Sequence, residues 1–244
     1  MALILLFTDF GTRDPYVGQV KARIAELAPA QLVVDLLHEV PDFNPHAGAH
    51  LLAALADGFQ PGSVFLAVVD PGVGTPRNAV VLLAGGSWFV GPDNGLLSVV
   101  AARHADSKRW RITWQPEALS VTFHGRDLFA LIAAEIARGE FPTDKLSSIT
   151  RFDVEFDAGD LPRVIYIDHY GNAWTGVRRL PVNTPVIAAG KPFKHSESFG
   201  FVGKGEGFWF NNSVGLVELA VNRGSAAADF GLRVGDAVTV QRLN

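Results

Sequence analysis

The sequence predicts an α/β protein, with an N-terminal mostly parallel sheet flanked by helices and a smaller C-terminal all-β, barrel-like domain. Three observations predict this architecture. Apolar runs alternate with segments of helical period in the first half of the chain. In the last third, short apolar runs are separated by Gly, Asn and Pro, and no long helical period appears. The 244 residues are enough for two cores, and we expect domains at residues 1–157 and 158–244.

The N-terminal domain is predicted to begin with three strands and two helices in alternation. Continuous apolar runs at residues 2–7, 32–37 and 64–69 are typical of strands that are covered on both faces. Between them, apolar residues recur at helical spacing over 17–27, and an Ala- and Leu-rich helix is predicted over 49–55. This β-α-β-α-β order favours a parallel sheet with helices on both faces.

The rest of this domain is predicted to be less regular. Gly85 and Gly86 separate two apolar runs and indicate a hairpin. The predicted elements are a hairpin over residues 79–90, a turn at 91–95 followed by a short helix, a short strand at 112–114 and a helix over 128–136.

The C-terminal third changes character. Residues 141–161 are broken and polar, and they predict a linker. Short strand-like runs follow at 164–167, 208–210, 216–221 and 237–240, which indicates a small barrel or sandwich.

Composition excludes several classes of protein. The net charge is −4 without blocks of like charge, which argues against nucleic acid or a membrane surface as the main partner. The chain has no cysteine, so disulfides, thiolate metal sites and a cysteine nucleophile are all excluded. The apolar start is too short for a membrane span and lacks the features of a signal peptide. We therefore expect a cytoplasmic protein.

The loop after the third strand is the first candidate site. The apolar run ends at Asp70, and two glycines and Arg77 follow. Ligands bind at the carboxyl ends of strands in α/β sheets. A structural ion pair is the commoner fate of such residues. With His124, which precedes a predicted helix, an oriented carboxylate and an imidazole could instead position a water and accept its proton.

Two further clusters carry polar groups. Asp9 follows the first strand, where it is either a turn carboxylate or a ligand for the two hydroxyls of a ribose. Asp168, Tyr170 and Asn172 are either ordinary turn residues or a nucleobase site, with a ring to stack and an amide to pair. Three histidines, His38, His46 and His50, have no carboxylates at ligand spacing, so we expect no metal.

Six motifs occur together and in order, and in combination they resemble one family. They are Thr8-Asp9-Phe10-Gly11, residues 69–74 with Arg77, residues 91–95, residues 123–127, Asp168 with Tyr170-Gly171-Asn172, and Asn212-Ser213 with Glu218. From about residue 3 to the end, the chain resembles the S-adenosylmethionine hydroxide adenosyltransferases, relatives of the fluorinases and chlorinases.

The resemblance implies an activity and an assembly. Water would attack C5′ of the ribose of S-adenosylmethionine, giving adenosine and L-methionine. S-adenosylmethionine would be the substrate, and no cofactor is expected. The family's α/β and β-barrel-like domains form homotrimers that bind the substrate between neighbouring subunits.

The resemblance also implies roles for residues. The catalytic set would be Asp70, Arg77 and His124, and Asp9 would bind the ribose. Asp168 would hold the methionine ammonium and Ser213 its carboxylate. The adenine would contact Tyr170, Asn172, Glu218 and the backbone of Val221, and the remaining wall would comprise Tyr16, Phe43, Asn94 and Phe123.

Two departures and two alternatives accompany this reading. Tyr170 stands where many relatives carry Phe, and Val214 stands where the fluorinases carry an arginine. A halogenase is disfavoured because an ionised Asp70 would repel a halide, and the halogenases lack an acid there. A non-catalytic adenosine or S-adenosylmethionine sensor, in which the Asp70 cluster is only structural, is the alternative from another class.

Overall fold

A computed structural model describes residues 2–182 and 184–241. The chain divides into two compact units. The first comprises the described residues up to Ala53 together with Phe59–Ala158, and the second comprises Ala54–Gly58 and the described residues from Gly159 onward. Among the described residues, no helix has both the length and the apolar character needed to cross a membrane.

The first unit contains a seven-stranded sheet. Its strands are β1 (Leu3–Thr8), β2 (Leu32–Leu37), β3 (Val64–Val68), β4 (Ala79–Ala84), β5 (Ser87–Pro92), β6 (Lys108–Ile112) and β7 (Leu146–Ile149). Their order is β2-β1-β3-β5-β4-β6-β7. The half formed by β2, β1, β3 and β5 is parallel, as the alternating pattern predicts, whereas β4, β6 and β7 pair antiparallel.

Helices α1 (Tyr16–Leu27), α2 (Pro45–Ala56), α3 (Ser98–Arg103) and α4 (Ala130–Ala137) accompany these strands. A π-helical turn, Gly125–Phe129, leads directly into α4. The core is built from β1, the fully buried strand β3 and the buried face of α4, with residues such as Ile4, Leu66 and Ile132.

Two sequence predictions for this unit are wrong in detail. The strand predicted at 112–114 lies at Lys108–Ile112, because its inward residues alternate with charged ones rather than forming an apolar run. The linker predicted at 141–161 contains β7, which pairs with β6 at the edge of the sheet. Its two central residues are exposed serines, so the segment contains no apolar run from which a strand could be predicted.

We expect Gly91→Ala to lower the free energy of unfolding by about 3 kcal/mol, the upper end of overpacking costs. A Cβ on Gly91 would overlap the backbone carbonyl oxygen of Ala67, which cannot rotate away. Chemical denaturation measures this effect. Gly18→Ala is the control: Gly18 lies in α1 with no atom near its would-be Cβ, so alanine should stabilise the protein by roughly 0.5–1 kcal/mol. Equal stabilities for the two variants would contradict this packing.

The second unit is a closed β structure. Its strands are β8 (Leu161–Ile167), β9 (Ala173–Arg178), β10 (Val186–Ala188), β11 (Lys191–His195), β12 (Gly207–Asn211), β13 (Leu216–Val221) and β14 (Val238–Val240), and its helix is α5 (Ala226–Phe230). The order is β14-β10-β11-β12-β13-β9-β8. A bridge between Arg163 and Ala237, with the Val164 amide donating to Asp236 at 2.9 Å, joins the two ends. The predicted barrel-like domain is confirmed, and Trp209 and Phe193 fill its core.

Candidate active site

Two aspartates stand at the carboxyl ends of neighbouring parallel strands. β1 and β3 pair with Thr8 opposite Val68, so Asp9 and Asp70 follow them at the same edge of the sheet. The amide of Asp9 donates to the carbonyl of Val68 at 3.3 Å, which fixes the start of its loop. This edge is where open α/β sheets bind ligands.

Asp70, Arg77 and His124 form one contiguous cluster. Nε of Arg77 donates to Oδ1 of Asp70 at 3.0 Å and Nη2 donates to Oδ2, so the pair is bidentate. The same Nη2 lies 3.4 Å from Nδ1 of His124. Because a guanidinium can only donate, Nδ1 must accept, and the proton of a neutral His124 is therefore assigned to Nε2.

The surroundings of Arg77 hold its guanidinium in this position. Nη1 donates to the carbonyl of Asn78 at 2.6 Å, and the ring of Phe129 lies 5.6 Å from the guanidinium carbon. The side chains of Arg77 and Asp70 are 9% and 5% exposed. A bidentate pair with so little solvent access has a fixed orientation, unlike an exposed surface ion pair.

Burial and charge set the protonation of the cluster. Burial raises the pKa of the Asp70 carboxyl above its usual range, and the charges of Arg77 and His124 oppose that rise. Burial, followed by the charge of Arg77, lowers the pKa of His124. The two hydrogen bonds from Arg77 favour the ionised form of Asp70, and burial together with the charge of Arg77 favours the neutral form of His124. The cluster thus offers a basic carboxylate and an imidazole N–H.

A cavity of about 510 Å³ opens beside this cluster, and both Asp70 and His124 line it. The rings of Phe10, Tyr16 and Phe123 pack together on one wall, with centroids 5.4–6.0 Å apart. The sequence-predicted residues that also line the cavity are Asp9, Tyr16, Phe43 and Phe123. The volume and the largely apolar lining suit a small organic ligand.

Asp9 projects its carboxylate into the same cavity. Oδ2 accepts the amide of Phe43 at 3.3 Å, and burial raises the pKa of Asp9 above its usual value. Phe43 itself has a positive φ of 56° and a side chain that is 75% exposed. One oxygen of Asp9 therefore remains available for a hydroxyl donor.

Asn94 occupies a different position from the other predicted wall residues. Its amide donates to the carbonyl of Val69 at 2.8 Å, directly before Asp70, and it does not line the cavity. The structure thus places Asn94 behind the Asp70 loop, where it anchors the backbone.

The predicted polar residues of the second unit form a separate cluster. Oδ1 of Asp168 accepts the amides of Tyr170 and Asn172, each at 2.9 Å. Oδ2 accepts Nδ2 of Asn172 at 3.1 Å, and Gly171 provides a φ of 83°. These contacts are typical of a turn, but they leave Tyr170 75% exposed and Oδ1 of the buried Asn172 without a hydrogen-bond partner.

A larger cavity, of about 950 Å³, adjoins this turn. The predicted residues Asp168, Tyr170, Asn172, Ser213, Glu218 and Val221 all line it. Glu218 is 5% exposed and accepts Nδ2 of Asn212 at 3.1 Å. Burial raises the pKa of Glu218 to about 7; the nearby Asp168 adds to the rise and Asn212 opposes it.

We expect Glu218→Gln to stabilise the protein above neutral pH. The folded state binds this proton more tightly than the unfolded state, so the wild-type free energy of unfolding falls as pH rises from about 4.5 to about 7. The shift corresponds to roughly 3 kcal/mol at pH 8. Urea unfolding at pH 4.5 and 8 measures it, with the exposed Glu117→Gln as control. A variant without this pH-dependent gain would show that Glu218 is not held protonated.

The three histidines considered for a metal do not act together. His46 and His50 lie one helical turn apart on α2 with ring centroids 5.4 Å apart, and burial lowers the pKa of His50 to about 4. His38 instead contacts Thr8. Within residues 2–182 and 184–241, no three His, Cys, Asp or Glu side chains group so as to hold a metal ion.

Two sequence profiles match nearly the whole chain. The SAM (S-adenosylmethionine) hydroxide adenosyltransferase N-terminal domain matches residues 4–147, and the C-terminal domain of the same enzyme matches residues 162–239. The chain belongs to the SAM hydroxide adenosyltransferase family. The resemblance drawn from the six motifs is confirmed.

Named relatives agree with membership of this family. The (R)-S-adenosyl-L-methionine hydrolase of Thermus thermophilus is 37% identical over 96% of this chain and 98% of its own. The hydrolase of the same name from Salinispora tropica is 38% identical over 96% and 95%. A fluorinase from Actinopolyspora mzabensis is more distant, at 28% identity over 98% and 97%.

A solved structure shares the fold. The crystal structure of an uncharacterized conserved protein from Thermotoga maritima aligns with a TM-score of 0.87 and 31% identity, covering 98% of this chain and all of the other. The two-domain architecture inferred from sequence is therefore that of the SAM hydroxide adenosyltransferase family.

Some cavity residues of this family member escaped sequence reasoning. Phe10, Val73, Ser120 and Thr122 line the cavity beside Asp70. Phe10 and Val73 lie inside motifs that had been singled out for their aspartates, which was the available signal. Ser120 and Thr122 lie in an irregular loop, and nothing in their local pattern marks them. In the second unit, Trp174 lies two positions beyond Asn172 and also lines a cavity.

Proposed function

We propose that this protein hydrolyses S-adenosyl-L-methionine to adenosine and L-methionine by attack of water at ribose C5′. The observation that carries the proposal is the Asp70–Arg77–His124 cluster on the wall of an aromatic cavity that also holds Asp9. Family membership and relatives named (R)-S-adenosyl-L-methionine hydrolase support it. On the same ground, we extend the (R) configuration at sulfur to this chain's preferred substrate.

In the proposed reaction the nucleophile needs activation and the leaving group does not. The leaving group departs from a sulfonium as a neutral thioether, so it needs no acid. Water is a weak nucleophile, and Asp70 is the group positioned to accept its proton. Arg77 orients that carboxylate through two hydrogen bonds. Burial makes the carboxylate more basic than a free one, which favours general-base catalysis.

His124 has the complementary role in this proposal. With Nδ1 facing Arg77, its Nε2–H donates to the water oxygen and directs a lone pair toward C5′. The sequence alone also permits the imidazole itself as the proton acceptor. The contact with Arg77 favours Asp70 as acceptor and His124 as donor. In-line alignment of water, C5′ and sulfur in this cavity contributes much of the remaining rate enhancement.

We assign the other predicted residues to substrate binding. Asp9 accepts the ribose hydroxyls, within the N-terminal domain at residues 1–157. In the C-terminal domain, residues 158–244, Asp168 and Ser213 hold the amino acid portion. Adenine binds against Tyr170, Asn172, Glu218 and Val221. Val214 leaves the carboxylate without the arginine found in fluorinases, so Ser213 and backbone amides bind it here.

The proposed assembly is a homotrimer with substrate between neighbouring subunits, working in the cytoplasm without a cofactor, nucleic acid or membrane partner. Each of the two cavities is lined by a strongly exposed aromatic residue, Phe43 in the first unit and Tyr170 in the second, and this exposure supports coverage by a second copy. Analytical ultracentrifugation tests the assembly: a sedimenting mass three times the chain mass is expected, and a monomer at micromolar concentration would refute the trimer.

Incubation with each sulfonium epimer of S-adenosylmethionine, with and without chloride, tests the function. Adenosine and L-methionine in equal amounts, formed faster from the (R) epimer and unaffected by chloride, are expected. A 5′-chloronucleoside would identify a halogenase instead. Tight binding in calorimetry without methionine release after overnight incubation would identify a sensor.

A further inference from the structure

A buried hydrogen-bonded chain reaches the Asp9 corner of the cavity from outside the site. Thr8 ends β1 and is 1% exposed, and its Oγ1 lies 2.8 Å from Nδ1 of His38. His38 follows β2 and is 5% exposed. Neither residue lines the cavity. Leaving either of these buried groups without its partner would lower the free energy of unfolding by about 1–3 kcal/mol. A buried polar pair at this position therefore suggests a specific role.

The contacts of His38 favour one assignment of donors and acceptors along the chain. Nε2 of His38 lies 3.2 Å from Oδ1 of Asp35, an electrostatic contact rather than a well-aligned hydrogen bond. Oδ2 of Asp35 pairs with Lys21 at 3.0 Å. Burial raises the pKa of Asp35, but His38 and Lys21 outweigh it and leave the pKa below its usual value. An ionised carboxylate beside Nε2 favours the proton on that nitrogen.

This tautomer orients the rest of the chain. With Nε2 protonated, Nδ1 of His38 accepts the hydroxyl proton of Thr8. The oxygen of Thr8 is then free to accept the amide of Phe10, which it does at 3.3 Å. Phe10 lines the cavity, and Asp9 lies between Thr8 and Phe10 in the sequence.

Backbone contacts join the same two loops around this chain. The amide of Val40 donates to the carbonyl of Thr8 at 3.2 Å, and the amide of Gly11 donates to the carbonyl of His38 at 2.8 Å. The loops after β1 and β2 are therefore held together on both sides of Asp9. The side-chain link through His38 adds a contact to the Phe10 amide, directly after Asp9, that these backbone hydrogen bonds do not supply.

We propose that His38 is a positioning residue for substrate binding, acting through Thr8 to set the Asp9–Phe10 corner of the cavity. The inference rests on the proposed function, because the corner matters only if Asp9 binds the ribose. The ribose is held in the ground state and the transition state alike. Loss of the link should therefore raise KM and leave kcat nearly unchanged.

The test uses Thr8→Val, His38→Leu and the double variant. Valine has the shape of threonine but no hydroxyl, so it removes the link with little change in packing. Each single variant should raise KM for S-adenosylmethionine about 5- to 10-fold with kcat within about twofold of wild type. The double variant should be no worse than either single one, because both break the same chain.

Two controls separate positioning from general stability. Thr175→Val removes another fully buried threonine hydroxyl, which donates to Val217 at 2.8 Å in the second unit, and KM should not change. His38→Asn places an amide oxygen where Nδ1 stands, so it should restore KM to within about twofold of wild type. This rescue also covers the case in which His38→Leu fails to fold.

The two proposals fail in different ways. A wild-type protein that releases no adenosine would refute the proposed function. Wild-type turnover together with an unchanged KM in Thr8→Val, or with additive effects in the double variant, would overturn the role of His38 alone.

Discussion

Replacing Asp70 by Asn is expected to lower kcat for S-adenosylmethionine hydrolysis about 10³-fold, within the range for loss of a general base. Asparagine keeps the size and one acceptor oxygen but cannot take the proton of water. It also replaces an acceptor for Arg77 with an amide donor, where Asp70 accepts from both Nε and Nη2. KM should change little, because the water and not the substrate loses its partner. Steady-state kinetics with adenosine detection measures the effect.

A surface pair provides the matched control for this variant. Glu140 pairs with Arg138 as Asp70 does with Arg77, but it is 62% exposed and lies outside the cavity. Glu140→Gln should leave kcat unchanged within about twofold, as exposed pairs contribute little. Wild-type turnover in Asp70→Asn would show that the cluster serves structure only, which is the sensor alternative.

Removing the imidazole is the second large effect. His124→Ala should lower kcat about 10²-fold, because the water loses a donor and Arg77 loses an acceptor. His124→Asn should recover part of this loss, since its oxygen can accept from Nη2 of Arg77. His104→Ala, at a histidine that does not line the cavity, should retain wild-type kcat.

The pH profile distinguishes the two groups. The pKa of His124 is lowered, so the wild type holds it neutral at pH 7, and activity should fall only as pH drops below that lowered value. Protonation there would place a second positive charge against Arg77. Asp70, with a raised pKa, protonates in the same acidic direction. In His124→Asn, the fall of kcat at acidic pH should therefore reflect one ionisation instead of two. A variant whose acidic fall in kcat matches that of the wild type would contradict the role assigned to His124.

Much of the site was predictable from periodicity alone. Asp9 and Asp70 end up at one edge of the sheet because parallel neighbouring strands present their carboxyl ends together, and the apolar runs before them are unmistakable. Arg77 was predicted by its spacing across a glycine-rich loop. His124 is a weaker case: its place before a predicted helix makes it a candidate partner for Asp70, but an isolated histidine is usually only a satisfied polar residue, and the family motifs strengthen the assignment.

Other features depended on tertiary context. β7 was missed because an edge strand with exposed serines has no apolar run. The wall role implied for Asn94 by the resemblance stays a prediction, although its amide faces the Val69 backbone. The role of His38 could not be read from sequence, since its partner Thr8 lies thirty positions earlier in another strand. Hydrogen bonds between loops produce no periodic pattern in the sequence.

The π-helical turn at Gly125–Phe129 carries a consequence for the ancestry of the family. Such a turn holds one residue more than an α-helix of the same rise, and it is the usual trace of a single inserted residue. Deleting one residue there would restore an ordinary helix and swing His124 by about 100° around the axis relative to the buried side of α4. Homologues that are one residue shorter at this point should have abandoned the hydrolytic chemistry while keeping the fold.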